Sequence, residues 1–131
     1  MNRPSTNPVP ALKDEEQQHP VASAWRPALR EIVKALATGD HTALLGSTAV
    51  APVGAAVADQ IREYVADYGE TLVELPDDAW TTSVSQWMGT HWDVLVDLWT
   101  AESGASDLVL FVRVHEAEEG FRVHVDSVHV P

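Results

Sequence analysis

Six polar side chains near the C-terminus recur at spacings that could gather them: His91, Asp93, Arg113, His115, Arg122 and His124. Imidazole and carboxylate together suit Zn²⁺ and similar ions. Arg113 and Arg122 raise the local positive potential, which disfavours a divalent cation and suits an anionic small molecule better. The expectation is a polar binding corner with no metal, no cofactor and no assigned catalytic residue. The more ordinary reading of the same residues is a solvated sheet face whose opposite charges pair across strands for only tenths of a kcal/mol each.

Motifs that name a reaction are missing from the sequence. It holds no phosphate-binding Walker loop, no Gly-x-Ser-x-Gly elbow, no His-Glu-x-x-His and no dinucleotide fingerprint. His115-Glu116, with Glu118 and Glu119 close by, lacks the second histidine of a metalloprotease site. Ser127 lies beside Asp126 and His129, but adjacent strand residues point to opposite faces, so these three do not form a triad.

The elements that must position the corner follow from side-chain periodicity. His91–Thr100, Asp107–His115 and Phe121–Val130 are runs of β-branched and aromatic residues separated by Gly-containing breaks, a pattern that predicts an antiparallel meander. If simple hairpins close between them, Asp93, Arg113 and His124 share one cross-strand row, and His91, His115 and Arg122 the next. Trp92, Val94, Val96 and Leu98, then Leu108, Leu110, Val112 and Val114, then Phe121, Val123 and Val125 supply a continuous apolar face. Upstream, Ser23 is the expected N-cap of a helix carrying Trp25, Leu29, Ile32 and Leu36 and ending at Gly39. A second helix is expected from about Ala55 to Tyr68, stopped by Gly69. Thr71–Leu75 and a segment around Ser83–Trp87 are strand candidates.

The fold class is therefore α+β: two N-terminal helices packed on one face of a mainly antiparallel sheet of about four strands, ending in a C-terminal meander. Residues 1–22 contain Pro4, Pro8, Pro10 and Pro20 among polar residues, which predicts a flexible tail before a single domain over 23–131.

The sheet face turned away from the helices also carries apolar residues, among them Leu95, Trp99, Phe111 and Val128, with Val109 and Val130. Contiguous apolar surface is unusual on a monomer. Either the 79–90 segment or the tail folds over this band, or Leu95, Trp99, Phe111 and Val128 form an interface. Of the five tryptophans, Trp25 and Trp92 fall in core stripes, whereas Trp80, Trp87 and Trp99 are open to core, interface or pocket roles.

The 131 residues carry a net charge of −12, and after position 40 only Arg62, Arg113 and Arg122 oppose fifteen carboxylates. Nucleic acids and anionic membranes both require a basic patch, so neither is an expected partner. A basic protein partner or self-association fits this field. There is no cysteine, no signal-like apolar stretch and no run of the ~20 apolar residues that span a bilayer. These features together predict a soluble cytoplasmic protein.

Trp25-Arg26-Pro27, Ile32-Val33 through Leu36 to Gly39-Asp40, Asp67-Tyr68-Gly69, Leu75-Pro76, Trp92 to Trp99 and the closing Val125 to Val130 together resemble an uncharacterised bacterial domain of unknown function over about residues 24–130. That resemblance implies a compact α+β domain and assigns no activity. More coarsely, two helices followed by a curved sheet look like the ketosteroid isomerase-like cone fold, which implies a cavity between helices and sheet. The acidic base and donor of such enzymes have no counterpart on the apolar face. Two functions follow as expectations. The first is a non-enzymatic protein-interaction module, for instance an immunity- or antitoxin-like protein masking a basic enzyme; the second is a small-molecule-binding protein or enzyme with a pocket near Tyr64, Tyr68, Trp80 and Trp87. A filled core favours the first, and an enclosed cavity with convergent polar groups the second.

Overall fold

The computed structural model describes residues 8–44 and 46–131. The three alternating runs form strands β3 (Trp92–Thr100), β4 (Gly104–Glu116) and β5 (Phe121–His129), joined as consecutive hairpins. Two further strands, β1 (His19–Pro20) and β2 (Val84–Trp87), extend the sheet on the β3 side, so its order is β1-β2-β3-β4-β5 with every neighbour antiparallel. The sheet has five strands where about four were expected, because the N-terminal segment contributes β1.

Period-2 alternation sorts the strands as expected on the inner face. Trp92, Val94, Val96, Leu98, Leu108, Leu110, Val112, Val114 and Val123 are all buried. Helices α1 (Arg26–Thr38) and α2 (Ala55–Tyr68) supply the opposing layer, with Leu29, Ile32 and Val33 of α1 and Ala58 and Ile61 of α2 buried. Each helix ends at a glycine in the left-handed region, Gly39 at φ 74° and Gly69 at φ 85°, where a Cβ would be strained. Pro27 sits in the first turn of α1, where its missing N–H removes no helical hydrogen bond.

The start of α1 and the residues before it differ from expectation. A 3-10 turn over Ser23–Trp25 precedes the helix, and Ser23 does not cap it. Instead the Ser23 hydroxyl accepts the Val9 N–H at 2.8 Å, while the Ser23 N–H donates to the Val9 carbonyl at 3.0 Å. Within the expected tail, residues 8–22 are laid against the domain. The Trp92 indole N–H donates to the Leu12 carbonyl at 3.0 Å, Lys13 pairs with Glu116 at 2.8 Å, and Gln86 donates to the Glu15 carbonyl at 2.8 Å. Val21 and Ala22 are core residues. The expectation for residues 1–7 lies outside the described residues.

These attachments cover both sheet edges. β1 pairs His19 with Ser85 and Pro20 with Val84 along β2. On the far side, Ala51 donates to Val123 at 2.8 Å and Val123 donates to Ala49 at 2.7 Å, while α2 lies against the rest of β5. Covered edges resist strand-to-strand association. The expected strand at Thr71–Leu75 is reduced to a single bridge, Leu72 with Thr100, because Pro76 and the acidic turn after it carry the chain off the sheet.

Candidate binding face

The outward-facing residues are fixed by the register. Gln86, Asp93, Arg113 and His124 line up across β2 to β5; beside them lie Val84, Leu95, Phe111 and Ser127, and then Asp97, Val109 and His129. His115 pairs with Arg122 on the other flank, and His91 stands next to His115 with ring centroids 5.2 Å apart. The rows expected from simple hairpins are the observed rows at this end of the sheet.

Three imidazoles form a chain, since His115 also meets His124 edge-on at 4.9 Å. His91 Nε2 lies 3.1 Å from Asp93 Oδ1, and Arg113 Nε lies 3.8 Å from the same oxygen. That carboxylate oxygen is therefore shared, with Asp93 as the single anion among three imidazoles and one guanidinium. Burial holds His115 below the ordinary histidine range, and repulsion from His124, His91 and Arg113 adds to the effect. Arg122 is exposed and is linked to the group only through its register with His115. No three His, Asp or Glu side chains among the described residues are arranged to hold a metal ion.

The apolar part of the face is smaller than expected. Leu95 and Phe111 face outward and are partly exposed, with the Arg113 guanidinium 5.5 Å from the Phe111 ring centre. Val128 does not belong with them. An extra residue at Asp126 shifts the register, so that Ser127 faces outward opposite Phe111 and Val128 turns inward opposite Leu110, where it is 4% exposed. Trp99 also leaves the patch: at the irregular end of β3 it packs partly buried against the core. What remains is an open depression of about 320 Å³ bordered by Met88, Leu95 and Phe111 with Gln18, Gln86, Asp93 and His129 around them. Met88 is half exposed. Gln18 and Met88 carried no signal of their own in the sequence, because a residue delivered by a loop has no periodicity to read.

The model of a family described as a domain of unknown function, DUF7668, matches residues 33–131. The chain belongs to this family. No curated protein and no solved structure matches the chain. The DUF7668 match takes in β2 to β5 and so every residue of the outward rows, while β1 and the strap of residues 8–22 precede it.

Tyr64, Tyr68, Trp80 and Trp87, expected near one pocket, are engaged at separate places. The two tyrosine hydroxyls accept the backbone N–H groups of Val130 and Asp107. Trp80 is buried beneath Arg26 and Arg30, and Trp87 packs at a tilt of 58° against Trp92, which also meets Trp25. An apolar groove of about 260 Å³ lies between the helices instead, lined by Leu36, Ala58, Ile61, Val65 and Leu72 with Arg62 and Glu70 at its border. Glu70 is already committed there, accepting hydrogen bonds from Thr100 and Ser103. No helix among the described residues is long and apolar enough to cross a membrane.

Proposed function

We propose that this chain is a non-enzymatic interaction module that binds a protein through the outward sheet face. The observation that supports the reading most directly is the depression around Leu95, Phe111 and Met88 with its polar border of Gln18, Gln86, Asp93 and His129. An apolar centre inside a polar rim is the usual anatomy of a protein interface. The inner face argues the same way from the other side. Val94, Val96, Leu98, Leu108, Leu110, Val112 and Val114 are 0% exposed under the helices, so the space where a cone-type enzyme keeps its substrate is occupied by side chains.

Affinity capture from the native cell with the wild type and with Phe111→Lys tests this reading. A lysine there places a charge in the apolar centre of the contact while leaving the inner core untouched. Proteins retained by the wild type should be lost by a Phe111→Lys chain whose circular dichroism is unchanged. Equal retention by both would remove the outward face from the function.

A second reading is favoured by the groove between α1 and α2, whose lining suits a small apolar ligand. Filling it with Ala58→Phe should then abolish ligand-induced changes in Tm while leaving the capture result unaltered.

A further inference from the structure

We propose that the occupant of the outward sheet face is a second copy of this chain, related by a two-fold axis that runs along the strands between β3 and β4. The inference rests on the reading of that face as an interaction surface and names its partner.

Charge distribution leads to this choice. The molecule carries −12, yet of the fifteen carboxylates after position 40 the paired outward rows of β2 to β5 hold only Asp93 and Asp97. They are matched on the same face by Arg113 and Arg122, two of the three arginines in that part of the chain. These outward rows are therefore formally neutral on a strongly acidic body. They are the place where two copies can approach without like-charge repulsion.

The register makes the face self-complementary. Asp93 is paired with Arg113, and Leu95 with Phe111, across the β3–β4 ladder. A two-fold axis parallel to the strands and midway between these two strands lays β3 of one copy over β4 of the other. It therefore sets one copy's Asp93 against the other's Arg113 and one copy's Leu95 against the other's Phe111. Each contact occurs twice, as an isologous interface demands. Aligned sheets packed face to face about 10 Å apart are a standard arrangement. Pairing through the edges is opposed by β1 on one side and by Ala49–Ala51 with α2 on the other.

The footprint bounds the strength. Four strands at ~4.8 Å spacing and about six residues at ~3.3 Å each cover roughly 400 Å², less than the ~800 Å² per partner of a standard stable complex. Association is therefore weak and reversible.

Sedimentation of the full chain between about 10 µM and 1 mM reads it, with charge-swapped variants to locate it. Asp93→Arg and Arg113→Asp should each be monomeric, because each places like charges together twice across the axis. Mixed in equal amounts they should form a heterodimer, since the first variant presents arginine at both positions of the pair and the second presents aspartate at both. Phe111→Lys should weaken self-association by at least ~30-fold, as expected for the centre of an interface. Circular dichroism of every variant should match the wild type, because a loose, partly exposed ion pair at 3.8 Å contributes little to folding. A wild type that stays monomeric at about 1 mM would overturn the second copy as occupant. The interaction reading would then survive or fall on whether Phe111→Lys still loses captured proteins. A wild type that dimerises while the mixed variants do not would place the contact elsewhere on the molecule.

Discussion

His115 stands between His91 and His124 with Arg113 on the neighbouring row, and its proton is disfavoured first by burial and then by these three positive or protonatable groups. The sign of the consequence is fixed. A histidine whose pKa is lower in the folded state than in the unfolded chain binds fewer protons when folded, so the stability it permits is present above the unfolded value and is lost as pH falls through the folded one. Urea midpoints of the wild type should therefore fall between about pH 7 and pH 5, and His115→Gln should flatten that decline. An unchanged pH slope in the variant would show that other groups carry the acid sensitivity. Between β4 and β5 the histidine corner is legible residue by residue, because its neighbours follow from counting back from the Glu116–Phe121 closure, whereas Asp93 meets Arg113 rather than Phe111 because the β3–β4 register shifts by two residues between Asp97 and Trp99. The position of Val128 is not. Val123 and Val125 keep the period of two, but the three-residue step to Val128 marks an extra residue in the strand, and such a bulge reverses the facing of everything after it.

Among the elements, the strap of residues 8–22 changes the account of the fold most. It supplies the acceptor for the indole N–H of Trp92, a residue only 4% exposed, and a strand for the edge of β2. Leaving a buried donor unpaired costs about 1–3 kcal/mol, and for a chain of this size each kcal/mol moves Tm by roughly 3–5 °C. Deleting residues 1–20 should thus lower Tm by more than ~5 °C and make β2 available for edge pairing. A melting temperature within ~1 °C of the wild type would show that the strap adds nothing to stability. Periodicity could not reveal this element, because it is held mostly by backbone groups: the Val9, Leu12 and Glu15 carbonyls and the ladder at His19–Pro20. Hydropathy reads side-chain burial, and here only Val21 and Ala22 at the end of the strap are core residues. The meander and the two glycine-terminated helices are legible for the opposite reason, since each buries a regular apolar stripe.

At the scale of the molecule, added salt separates the proposed sheet-face dimer from any other self-association. The screening length is about 10 Å at 0.1 M salt and shorter above it, so beyond that concentration only charges close to the contact respond. Contact through an acidic surface of a body carrying −12 brings like charges together, and salt should strengthen it. The outward face behaves in the opposite sense. Its paired rows are formally neutral through Asp93, Asp97, Arg113 and Arg122, and the two-fold arrangement sets Asp93 of each copy against Arg113 of the other. Those contacts are attractive, and screening weakens them. The dissociation constant measured by sedimentation should therefore rise between about 0.1 and 0.5 M salt, and Asp93→Asn combined with Arg113→Gln should remove most of that rise. Tighter association at the higher salt would mean that the copies meet through their acidic surfaces rather than through the sheet.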